Sequence, residues 1–198
     1  MTPRPLEYPV EGLTDGVVRL RVPADADVPR IVQACRDPLV ARFTTVPANY
    51  QPSHTLEWMH RGLAGLAAGT DVHTVIADAT SGDVLGTISL HEINRATSRA
   101  VAGYLTAPWA RGRGVASRAL RLICRFAFEE LRLARVEVTI EPQNTASRAT
   151  AEAVGFREEG LLRSYMPIAG ARRDMLMYSL LPVDLTPAAG DGVATLEG

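Results

Sequence analysis

Between Tyr104 and Ala116 the chain reads YLTAPWARGRGVA, with glycine at 112 and 114 and arginine at 111 and 113. A strand-like run precedes this segment and a helical pattern follows it, so it is a glycine-rich turn at a helix start. Such a turn suits anion binding. The first four amides of a helix lack intrahelical acceptors, and the dipole adds about half a positive charge there. Glycine lets the backbone approach a phosphate or pyrophosphate closely, and arginine adds the full charge that a neutral backbone lacks. A dinucleotide turn needs GxGxxG, whereas Ser117 stands where the third glycine would be, and antiparallel strands precede the turn. The 21 basic residues are all arginine, which excludes a lysine-bearing phosphate loop and a Schiff-base lysine.

Other chemistries find less support. His54, His60, His73 and His91 show no HxxxH or HExxH spacing, and Cys35 and Cys124 form no CxxC, so no metal site is expected. Two separated cysteines fit a reduced protein. No apolar run reaches the roughly 18 residues of a membrane span, and MTPRPLEYPVEG lacks the apolar core of a signal peptide, so the expected location is the cytoplasm, with no membrane partner. A net charge of -1 gives no reason to expect nucleic acid as a partner.

The elements that position the turn follow from periodicity. The 198 residues, 46% hydrophobic and 22% charged, suit one globular domain. Residues 1–16 read as a lead-in, 17–182 as the domain and 183–198 as a mobile tail. Val17–Val22 alternates as a strand; Ala24–Arg36 is a helix closed by Asp37–Pro38; Ser53 caps a second helix running to about Ala68. Three strands follow at Val72–Ala79, Val84–Ile93 and Arg99–Thr106, the first two joined as a hairpin through Thr80–Asp83. Val115–Leu133 is helical, Arg135–Ile140 a strand, and Asn144–Val154 a helix stopped by Gly155. Phe156–Leu181 makes two strands about Ala169–Gly170. Strand, helix and strand over 99–140 imply a right-handed crossover and a locally parallel pair. The fold class is therefore α/β with a mixed, mostly antiparallel sheet.

Arg111–Ala116 also fits R-x-x-G-x-A, and further motifs follow in order: GYL at Gly103–Leu105, the helix SRALRLICRFAFEEL, the strand RVEV, P-x-N-x-x-S at Pro142–Ser147, GFREEG at Gly155–Gly160 and RRDMLMYSLL. This ordered set, spanning about Val17 to Leu181, resembles the GNAT acetyltransferase superfamily, and within it the Rim-type branch that acetylates ribosomal-protein N-termini. The resemblance implies a sheet splayed between the strands at 99–106 and 135–140, helices on both faces, and acetyl-CoA in the gap. It implies that Leu105 and Thr106 pair with the pantetheine arm. The amides of Arg111, Gly112, Arg113, Gly114, Val115 and Ala116 would hold the pyrophosphate. Asn144 would contact the pantetheine region, and Ser147, one turn on, would lie near the sulfur. Asn144 also suits a helix N-cap, and the two roles are compatible.

The implied activity is acetyl transfer to a primary amine, either a protein N-terminus or a small molecule, by direct attack on the thioester. Proximity, carbonyl polarisation and a general base would drive it. Three positions at which relatives carry catalytic groups are apolar here: Val101, Met166 and Ala151. That leaves Ser147 as the acid for the departing thiolate and Glu92 as the expected base, with Glu141 and Asp174 behind it. The vacant positions also suit a non-catalytic acyl-CoA-binding module, and a longer acyl group such as succinyl stays open. Relatives often form homodimers, although no self-complementary patch is legible here. Trp58, Met59, Leu63 and Leu66 read as a helix face on the sheet, Trp109 as a shield for the loop, and Arg118, Arg121, Arg125 and Arg132 as a solvated face.

Overall fold

A computed structural model describes residues 5–185. The alternating run after the lead-in is strand β2 (Val18–Arg21), and its partner β1 (Leu13–Thr14) lies inside the 1–16 stretch. Leu6 is buried there too, and its amide donates to Leu66 O at 2.8 Å. The tail expected at 183–198 falls outside the described residues from 186 onward; Pro182–Asp184 form a 3-10 turn.

The first helical region differs from expectation. It opens with a 3-10 turn at Asp25–Asp27, continues as α1 (Val28–Cys35), and Asp37–Pro38 then starts another helix, α2 (Pro38–Phe43). Asp37 accepts the Leu39 amide at 3.0 Å and Pro38 takes the first helical position. An aspartate cap followed by proline is a start signal, so the dipeptide that ends one helix begins the next. Helix α3 (Pro52–Ala68) likewise begins at a proline, with His54 Nδ1 accepting the Gln51 amide at 2.9 Å, and Ser53 lies within the helix rather than capping it.

The next strands are β3 (Val72–Asp78), β4 (Val84–Asn94) and β5 (Arg99–Thr106). Helix α4 (Val115–Glu129) then crosses to β6 (Arg135–Ile140), followed by α5 (Thr145–Val154), β7 (Arg157–Ile168) and β8 (Ala171–Leu180). Helix α4 stops before Leu133 because the Leu131 and Leu133 amides fold back onto Phe126 O and Ala127 O. The eight strands form one mixed sheet in the order β1-β2-β3-β4-β5-β6-β8-β7. All neighbours are antiparallel except β5 and β6.

That parallel pair is short. Arg99, Ala100 and Val101 face Arg135, Val136 and Glu137, and no pairing continues beyond them. From Ala102 to Thr106 the β6-facing edge of β5 has no ladder partner among the described residues, so the sheet opens like a V. Side chains hold the two arms in place. Helix α4 buries Ala119, Leu120 and Ile123 with Ile88, Leu90, Ala100 and Val136, while Ile31, Val32 and Cys35 of α1 pack with Val75 in a second cluster. Each fully buried Leu or Ile contributes about 1.5–3 kcal/mol.

Gly155, which caps α5 at φ +106°, closes the far end, and a Cβ there would stand 2.0 Å from Asp184 O. Gly155→Ala therefore combines a strained backbone with a forced shift of the 182–184 turn. It is expected to lower stability by about 3 kcal/mol or more in urea denaturation.

Candidate active site

The splay between β5 and β6 holds two cavities that meet. The first, of about 560 Å³, runs from Leu105 and Thr106 to Gly112, Gly114, Val115 and Ala116, under Leu39, Val40 and Phe43 of α2. The second, of about 380 Å³, lies on the opposite side and is lined by His91, Glu92, Val101, Glu137 and Met166 among others. Both are lined by Phe43, Thr44, Tyr104, Leu105, Asn144 and Ser147. Two molecules entering from the two sides would meet at these residues.

The far end of the first cavity is built for an anion. Gly112 and Gly114 have φ of +72° and +71°, which turns the chain so that successive amides converge. A Cβ at Gly112 would meet no atom within 4 Å, and one at Gly114 would approach only Ser117 Oγ, at 3.9 Å. The first helical bond of α4 is Arg118 N–H to Gly114 O at 3.1 Å, which leaves the amides of 115–117 without a carbonyl among the described residues. Free donors beside space that a side chain would fill match a pyrophosphate. Arg111 lines this cavity with its guanidinium on Asp37, at 2.8 Å, and holds that carboxyl below its ordinary range. Arg113 is exposed and lies outside the lining.

At the junction, Tyr104 Oη and Ser147 Oγ share a hydrogen bond at 2.9 Å, and Tyr104 Oη also donates to Ser147 O at 3.2 Å. Burial pushes the phenol up to about 12, so it stays protonated at any working pH. Asn144 Oδ1 accepts the Ser147 amide at 3.2 Å, so it caps α5 and lines both cavities at once. The cap fixes the first turn of α5 and with it the direction of Ser147.

The second cavity carries carboxylates, most of them already paired. Glu141 is buried and accepts both guanidinium arms of Arg42, at 2.6 and 2.9 Å, which holds it below its ordinary range. Glu137 accepts from Arg99 at 2.8 Å and Arg135 at 2.7 Å. Asp174, the other expected candidate, lies outside the lining of both cavities, exposed and accepting the Ser164 amide at 2.6 Å. Glu92 stands apart. It sits in a β4 irregularity between His91 and Asn94, with φ +53°, exposed at the rim. A bulge of this kind re-aims a side chain.

Elsewhere the structural uses prevail. Trp58 stacks on His73 at 5.1 Å beneath α3, Trp109 Nε1 donates to Val84 O at 3.0 Å, and Arg118 pairs with Asp15 at 2.7 Å. Ala151 is fully buried in α5. Sequence reasoning passed over Tyr104 and His91. The first was visible as the one hydroxyl in GYL. The second was visible in the alternation of Thr87, Ser89 and His91 against apolar Ile88 and Leu90, which puts the imidazole on the polar face of β4.

Comparisons with known proteins agree with this geometry. A family model described as the acetyltransferase (GNAT) domain matches residues 18–157. The N-acetyltransferase p20 of Bacillus licheniformis, itself uncharacterized, is 30% identical over 158 residues, 79% of this chain and 87% of that protein. YdaF of Bacillus subtilis (strain 168), provisionally named a ribosomal N-acetyltransferase, is 39% identical over 100 residues. That match covers 50% of this chain, which spans 55% of YdaF. Among solved structures, Mycobacterium smegmatis RimJ in complex with CoA-disulfide superposes with a TM-score of 0.79 at 26% identity, covering 89% of this chain and 88% of that one.

Proposed function

The chain belongs to the GNAT family of N-acetyltransferases, and we propose that it transfers an acetyl group from acetyl-CoA to the primary amine of a protein N-terminus. The observation that carries this reading is the meeting of two cavities at Tyr104, Leu105 and Ser147, beside the stretch of β5 that has no β6 ladder partner among the described residues. When bound, acetyl-CoA supplies an activated thioester carbonyl. The amides from Gly112 to Ala116 would hold its pyrophosphate, and the free β5 edge at Leu105 and Thr106 would hold the pantetheine arm. Fixing donor and acceptor side by side supplies most of the rate. Ser147, backed by Tyr104, would give the departing thiolate its proton.

Two features favour acetyl over a longer acidic acyl group and a peptide over a polyamine. None of the six residues that the two cavities share is an arginine, and the arginines elsewhere in the linings, Arg111 and Arg99, are paired with Asp37 and Glu137. The acceptor side leaves Glu92 as its unpaired acid beside Glu137 and Glu141, each neutralised by arginine, so a polycation finds few free anions. The likeness to RimJ and YdaF points the same way. The buried free thiols Cys35 and Cys124 agree with a reducing compartment such as the cytoplasm. No helix among the described residues is long and apolar enough to cross a membrane.

The test is thiol release from acetyl-CoA against N-terminal peptides, polyamines, amino acids and amine antibiotics. Release that depends on a peptide with a free N-terminus, and exceeds that with spermidine, is expected. Silence with every amine, while acetyl-CoA still binds by calorimetry, would instead favour the non-catalytic acyl-CoA-binding module.

A further inference from the structure

The acetyl-transfer reading leaves the amine's proton to Glu92, and that carboxylate stands exposed in the β4 irregularity after His91, while Val101 across the ladder is apolar. We propose that the imidazole of His91 takes the proton from the acceptor amine. His91 lies directly across from Val101 in the β4–β5 register, with Ser89 across from Gly103. It therefore occupies the same face as the vacant position, one strand over. Gly103 makes room for it, because a Cβ there would stand 3.1 Å from His91 Cε1. A side chain at 103 would force the ring to shift by a few tenths of an ångström.

The ring is free to act. It lines the acceptor cavity together with Tyr104 and Val101. Its nitrogens bond no described residue, and neither is sealed from the cavity. His73, the other histidine on this face, differs in that Nδ1 contacts Trp58 O at 2.9 Å and the ring is stacked. The charges acting on His91 come from Glu92 on its own strand and from Asp71 and His73 on the β3 side. Across β5 the nearest charges, Arg99 and Glu137, are spent on each other, and α4 packs on the other face of β4 against Ile88 and Leu90. Burial outweighs the attraction of the carboxylates and moves the imidazole below its ordinary value, so it is a neutral base at physiological pH.

The proton balance closes. The amine arrives as an ammonium, and one of its three protons passes to a ring nitrogen, which frees the lone pair. The C–N bond forms as the C–S bond breaks. A second proton replaces the one that Ser147 and Tyr104 give to the thiolate, and the third stays on the product amide. The imidazolium then releases its proton at the cavity mouth, where exposed Glu92 stands beside it.

The test uses the full-length protein, the best acceptor from the panel, and kcat and kcat/KM measured from pH 5 to 9. The wild type should show an acid limb from the imidazole. His91→Gln should lower kcat by about 100-fold, remove that limb and leave the acetyl-CoA Kd unchanged. His91→Ala should recover activity when free imidazole is added, which no loss of packing would produce. Glu92→Gln should move the limb to lower pH, because removing a nearby negative charge lowers the imidazole pKa. A His91→Gln enzyme within threefold of wild type, or loss of the limb in Glu92→Gln instead, overturns the proposal and leaves acetyl transfer standing. A wild type that binds acetyl-CoA and acetylates nothing overturns both.

Discussion

Gly114→Trp is expected to raise the acetyl-CoA dissociation constant at least 100-fold while the protein stays folded. The reason lies in where that residue stands. Gly114 is the N-cap of α4 at φ +71°, and a side chain built there would enter open space in front of the free amides. An indole would fill the cradle in which the pyrophosphate charge would be neutralised. Charge-assisted bonds of this kind are worth about twice a neutral one, and losing several at once removes most of the binding energy. The left-handed backbone adds about 1–2 kcal/mol of strain, well below the stability of an ordinary domain. Calorimetric titration beside a urea transition separates the two effects. A Kd within fivefold of wild type would show that the anion sits elsewhere.

Ser147→Ala and Tyr104→Phe should each act on turnover and spare affinity. The two hydroxyls form one unit, 2.9 Å apart, at the point where both cavities meet. On the proposed route, removing either would interrupt the proton's path to the departing thiolate, for which a kcat loss of about 100-fold is the usual scale. The double variant should be little worse than the worse single one, because both act on one proton transfer. Tyr104→Phe should cost no more than about 1–2 kcal/mol of stability, the usual value of a lost hydrogen bond. Since the phenol is pushed up to about 12, no alkaline limb below about pH 10 should trace to it. A large rise in acetyl-CoA Kd in Ser147→Ala would assign this serine to binding and leave the thiolate's proton to another group.

Strand and helix positions were largely open to reading from the sequence because their cause is local. The alternation from Arg99 to Thr106, the break at Ala107–Gly114 and the strand at Arg135–Ile140 each rest on a few neighbouring residues, and all appear where periodicity puts them. Capping is equally local, which is why Asn144 is found on the Ser147 amide. The misreading of Asp37–Pro38 came from one dipeptide that serves as a stop and as a start. Nothing within a few residues says which is meant. Helix α2, whose Leu39, Val40 and Phe43 line the first cavity, depended on that choice.

By itself the sequence determined that a glycine-rich turn would stand between an antiparallel set of strands and a long helix, with a second, capped helix beyond. Only the tertiary structure decided which side chains are left to do chemistry there. Arg42 neutralises Glu141 across 99 residues, and Arg99 reaches Glu137 across 38. The bulge after His91 turns Glu92 to the rim, while register across β5 lays the imidazole over Gly103. Propensity, periodicity and capping act over the few residues that a helical turn or a pleat spans. Pairing of charges and register of strands depend on partners that meet only once the whole sheet has closed around its core.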